Sequence, residues 1–126
     1  MKTSFKKVLI IALGLLVSTL IQFSSFSLAQ NRPMVVIFYT DWSARCKAAL
    51  PQVESIVSKY NDRIDLEALN IDLDMTPDRA RSLGISIPTT VPYIMILNRR
   101  GNVIYKQNYA PQSAEQINSL LNSLTK

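Results

Sequence analysis

Two adjoining stretches constrain this chain more than any other feature: the run Met34-Val35-Val36-Ile37-Phe38-Tyr39 and, just past Thr40-Asp41, the motif Trp42-Ser43-Ala44-Arg45-Cys46-Lys47. Apolar, β-branched and aromatic residues in an unbroken row read as a buried strand. Beyond them, Cys46, Leu50, Val53, Val57 and Tyr60 recur at helical spacing. A buried strand therefore hands almost directly to an amphipathic helix, and a W-x-x-x-C element sits at the helix start. Such a junction belongs to an α/β architecture.

The chain of 126 residues is long enough for one small domain. Residues 1–29 read as a segment outside it. Lys2, Lys6 and Lys7 form a basic n-region, residues 8–21 an apolar h-region, and Ser27-Leu28-Ala29 a small-residue cleavage site. The apolar run falls short of the about 20 residues that span a bilayer. The expectation is a signal peptide at 1–29, a folded domain at 30–126, and export to the periplasm or another extracytoplasmic compartment. Membrane attachment is expected only if the signal stays uncleaved. Its removal takes three of the 14 basic residues and none of the nine acidic ones, so the formal charge falls from +5 to +2. That ordinary balance gives no footing for nucleic acid, despite a pI near 9.6. Arg79/Arg81 and Arg99/Arg100 lack interleaved aromatics and read as solvated surface.

One cysteine excludes an internal disulfide and leaves a buried thiol or a bond to another molecule. The absence of histidine excludes Ser-His and Cys-His nucleophilic machinery and removes the commonest metal ligand. Asp72-Leu73-Asp74 could open a calcium loop, but Pro77 stands where that loop needs glycine and Leu83 where it needs glutamate. No metal site and no cofactor is expected.

Farther along, Ile64-Asp65-Leu66-Glu67-Ala68-Leu69-Asn70 alternates as a half-buried strand. Thr76-Pro77 reads as an N-cap and a first-turn proline, with Gly84 as the stop. Pro92-Tyr93-Ile94-Met95-Ile96-Leu97 is a second apolar strand, Asn98-Arg99-Arg100-Gly101 a turn, and Val103-Ile104-Tyr105 its hairpin partner. Ser113-Ala114-Glu115-Gln116 reads as a capping box ahead of a helix with Ile117, Leu120, Leu121 and Leu124 on one face. The order is β-α-β-α-β-β-α, with the first two strands parallel by right-handed crossover and an antiparallel hairpin added.

This order and the W-x-x-x-C element resemble the thioredoxin family, whose motif is W-C-x-x-C-K. The resemblance extends from Met34 to Leu124 and implies a three-layer α/β/α fold. The family's N-terminal strand and helix are absent from that core, since only Gln30 to Pro33 precede the first strand. Cys46-Lys47 closes the motif, and Pro51 stands where the family's helix is kinked. Leu69-Asn70-Ile71-Asp72 matches the end of the next strand. Val91-Pro92 takes the place of the family's cis-proline, Pro88 lying too far from the Asn98–Gly101 turn.

The departures shape the functional expectation. Ser43 aligns with the family's attacking cysteine, and a hydroxyl cannot stand in for a thiolate in disulfide exchange. The family's buried acid falls on Ile37, the lysine near it on Ala68, and the glycine that keeps the substrate groove open on Tyr109, which should partly fill that groove. The resemblance implies a binding surface formed by Trp42, Ser43, Ala44, Arg45, Val91, Pro92 and Tyr109, with Trp42 and Pro92 as an apolar shelf for a protein or extended peptide. Cys46 is the sole candidate redox thiol. Buried among Leu50 and Val53 it is inert; exposed, it could form a mixed disulfide. The favoured expectation is a protein-binding member without dithiol turnover, and the alternative an oxidoreductase using Cys46 alone. A further partner is a second copy of the chain, paired through an open edge at strand 64–70.

Overall fold

The computed structural model describes residues 31–126. Its elements are β1 (Met34–Tyr39), α1 (Ala44–Ser58), β2 (Asp65–Asn70), α2 (Thr76–Ser82), β3 (Tyr93–Leu97), β4 (Val103–Asn108) and α3 (Ala114–Leu124). The expected signal at 1–29 lies outside the described residues. Among the described residues, no helix is long and apolar enough to cross a membrane.

The four strands form one mixed sheet in the order β2-β1-β3-β4. β1 runs parallel to β2, with Ile37 opposite Ala68, and antiparallel to β3, with Ile37 opposite Ile94. Its central position explains the unbroken apolar run, because a strand covered on both faces has no polar side to show. Val35 and Ile37 face a core built with Val53, Val57, Ile117 and Leu121 from α1 and α3. Val36 and Phe38 face a smaller core with Leu69, Ala80 and Ile85 on the α2 side. The molecule is thus a three-layer α/β/α sandwich with the expected order of elements.

Three local expectations are corrected. Thr76 does not cap α2; it is the helix's first residue, and its buried hydroxyl bonds to the Asn70 carbonyl at the end of β2. Ser113 does not form a capping box. Pro111–Ser113 is a 3-10 turn, Ser113 has helical backbone angles, and its hydroxyl accepts a hydrogen bond from Gln107 Nε2 at 3.0 Å. In both cases a partner from a neighbouring strand outcompetes the helix's own backbone for the hydroxyl. The buried face of α1 also differs from the simple spacing. Ala49 and Ile56 are inside, whereas Leu50 is only half-buried.

Candidate functional site

The junction singled out in the sequence lies at the C-terminal ends of β1 and β2. After β1 the chain turns through Asp41 and Trp42 to Ser43, whose extended backbone (φ −87°, ψ 123°) makes it the N-cap of α1. Its Oγ accepts the Cys46 N–H at 3.4 Å, and its carbonyl accepts the Lys47 N–H at 3.1 Å. An N-cap oxygen satisfies an amide that the helix itself leaves orphaned. One turn into the helix, Cys46 is fully buried and its thiol is free. Ala44 and Arg45 between them are exposed.

Trp42 is 76% exposed, yet its indole is fixed: Nε1 donates to Asp72 Oδ2 at 3.0 Å. Asp72 N–H in turn donates to Asn70 Oδ1, and Asn70 Nδ2 to Asp41 Oδ2, each at 3.0 Å. Asp41, Asn70 and Asp72 thereby tie the loop after β2 to the loop that carries Trp42. Sequence reasoning misses this bracket. Its one trace in the sequence is an Asn-x-Asp run at a strand end, but the partners are about thirty positions apart and only the parallel pairing of β1 with β2 brings them together.

The Val91–Pro92 peptide is cis. Pro92 is buried, and its carbonyl accepts the Tyr109 N–H at 2.9 Å. Pro92, Tyr109 and Arg45, with Ala48, Gln52 and Pro111, line an open, mainly apolar cleft of about 310 Å³. Tyr109 does not plug this cleft. Its ring packs into the larger core and its hydroxyl donates to Gln52 Oε1 at 2.8 Å, so the side chain forms a wall. Burial pushes the Tyr109 phenol above its ordinary pKa. Of the expected binding residues, Arg45, Pro92 and Tyr109 share this cleft, whereas Trp42, Ser43, Ala44 and Val91 do not line it. Because Pro92 is buried, Trp42 alone carries the exposed part of the expected shelf.

Ile37 is 1% exposed in the middle of β1, and its neighbour Ala68 on β2 is exposed. Neither can take a proton from the Cys46 thiol. Among the described residues, no group of three or more His, Cys, Asp or Glu side chains is placed to hold a metal ion.

A mixed sheet between helical layers, with a tryptophan-led helix start and a cis-proline, defines a thioredoxin-like α/β domain. The family model for thioredoxin matches residues 15–123, and the chain belongs to the thioredoxin family. It is 30% identical over 76 residues to "Thioredoxin-like protein HCF164, chloroplastic" of Arabidopsis thaliana, covering 60% of this chain and 28% of that protein. It is 31% identical over 70 residues to thioredoxin of Mycolicibacterium smegmatis, covering 55% of this chain and 62% of that one. Against "Thiol:disulfide interchange protein TxlA" of Synechococcus elongatus it is 31% identical over 75 residues, 60% of this chain and 38% of the relative. The chain thus spans less than two thirds of each of these relatives.

Proposed function

We propose that this is an exported thioredoxin-family protein that binds other proteins or extended peptides at its Trp42 end, as an accessory to thiol–disulfide pathways, without turnover as a dithiol oxidoreductase. The observation that carries the reading is the state of the two motif positions. Ser43, where the family has its attacking cysteine, is engaged as a helix cap, and the chain's single thiol is fully buried behind it. Thiolate attack needs an ionised and reachable sulfur. The names of the thiol–disulfide relatives support the pathway assignment. The bracketed Trp42 and the cleft beside Pro92 and Tyr109 supply a recognition surface that needs no redox step.

Two further parts belong to the same reading. Residues 1–29 act as the export signal and 30–126 as the mature domain, so intact mass from the native host gives an N-terminus at Gln30. The outer edge of β2 is the route by which a second copy or an extended partner strand adds to the sheet. Supporting this, its acidic side chains are engaged elsewhere: Glu67 with Arg79 of α2 by two hydrogen bonds, Asp65 with Arg32 at 3.7 Å.

The direct test monitors reduction of a protein disulfide with dithiothreitol as electron source. The natural domain should leave the reagent's own rate unchanged. Clear acceleration would reject the proposal in favour of Cys46 as a single redox thiol.

A further inference from the structure

The end of the domain opposite Trp42 gathers charge that is scattered along the sequence. Arg32 leads into β1, and Arg63 closely precedes the parallel β2. α1 runs back between those two strands, so Lys59, just past its last residue, reaches the same end. β3 is antiparallel to β1, which puts the Arg99-Arg100 turn there as well. All five cations are exposed. Asp62 and Asp65 lie among them, and Asp65 is 3.7 Å from Arg32. At the Trp42 end, by contrast, Asp41, Asp72 and Asp74 offset Arg45 and Lys47. The modest +2 of residues 30–126, 11 cations against nine anions, thus hides a polar distribution.

A second observation at the same end concerns apolar surface. Val103 and Ile104, just after the arginine turn, are 38% and 42% exposed. Between β3 and β4 the register shifts, with Ile96 opposite Tyr105 and Leu97 opposite Val103, so Ile104 is the extra residue of a bulge. Bulges re-aim side chains at sheet edges. Aliphatic residues beside a cluster of cations suit a bilayer headgroup layer, where charge meets phosphate and the aliphatic groups reach the acyl boundary.

We infer that this basic pole docks on an anionic lipid surface, leaving Trp42 and the cleft directed away from the membrane. A juxtamembrane cation is worth about fivefold in binding to such a surface. Docking of this kind is independent of any redox role for Cys46 or Ser43.

The test floats the full chain with vesicles of phosphatidylcholine alone and of phosphatidylcholine mixed with phosphatidylglycerol. Lys2, Lys6, Lys7 and the apolar segment at 8–21 are common to the natural chain and its variants, so the difference between those chains isolates the pole. The expected result is a preference for the anionic vesicles that disappears at high salt. R99Q/R100Q should lower it about 25-fold, at about fivefold per lost charge, while R99K/R100K retains it. Tryptic cleavage after Arg99 and Arg100 should slow on anionic vesicles and not on neutral ones. Unchanged melting temperatures of both variants would show that the turn tolerates them. Equal partition on the two vesicles, or a preference that R99Q/R100Q keeps, would overturn the inference. Binding to single-stranded DNA as tight as to the anionic vesicles would do the same, by making the pole a general polyanion site.

Discussion

Tyr109 combines three roles in one residue: its amide holds the Pro92 carbonyl, its ring fills the larger core, and its hydroxyl reaches across to Gln52 on α1. Burial raises its phenol pKa above the ordinary 10.0. The folded protein therefore keeps a proton that the unfolded chain has already lost at high pH. Stability from this group is fully present below about pH 10 and declines as pH rises from there through the folded-state value. Tyr109→Phe should flatten that alkaline decline while costing under about 1 kcal/mol at neutral pH, since Gln52 is exposed and can turn to water. Urea midpoints of both proteins across the alkaline range measure this directly. An identical decline in the two would place its cause elsewhere.

Among the elements, β2 has the most to gain from a sharp test. Asp65 N–H donates to the Pro33 carbonyl and Ile71 N–H to the Tyr39 carbonyl, so the odd-numbered amides of β2 face β1. With a period of two, the Ala68 amide faces outward. Its side chain is exposed, so Ala68→Pro removes an outer donor without taking away core packing or an amide that pairs with β1. If a second copy adds to this edge, the unmodified domain should associate in sedimentation and Ala68→Pro should shift it to monomer. Glu67→Pro is the contrast, since it removes an amide that bonds to β1 and should destabilise the whole sheet. A domain that stays monomeric at high concentration would count against pairing.

The same scale shows what the sequence can and cannot reveal. β1 is legible to the residue, because a central strand is apolar on both faces and its run stands out from the surrounding pattern. β4 is legible only as far as Tyr105. Its remaining residues, Lys106-Gln107-Asn108, lie on the outer strand, where water accepts polar side chains on the free side. The hydroxyls of Thr76 and Ser113 mislead because a local cap and a tertiary bond use the same donor or acceptor, and only the folded neighbours decide between them. The bracket from Asp41 through Asn70 to Asp72 and Trp42 is hidden for the same reason. So is the basic pole, whose cations come from the lead into β1, the α1–β2 connection and the β3–β4 turn.

For the molecule as a whole, the proposed loss of dithiol chemistry is spread over several elements, and this predicts how it can be regained. Ser43→Cys places a second thiol at the N-terminus of α1, where the helix dipole and the free amides favour a thiolate. A disulfide with Cys46 should form, seen as the loss of both alkylatable thiols under mild oxidation. Turnover should still remain well below that of an ordinary thioredoxin. Resolving a mixed disulfide requires Cys46 to give up its proton, and Ile37 and Ala68 provide no acceptor behind it. Adding Ile37→Asp should raise the rate and lower stability together, because a carboxylate in the centre of β1 has no cation beside it and costs several kcal/mol if it stays charged. Its pKa should rise in consequence, making the gain in rate appear on the alkaline side of the ordinary carboxylate range. A pH–rate profile of S43C against S43C/I37D, with urea melts of both, separates the two effects. If S43C alone reached the full rate of a thioredoxin, the missing groups at Ile37 and Ala68 would be irrelevant, and the loss would reside in Ser43 alone.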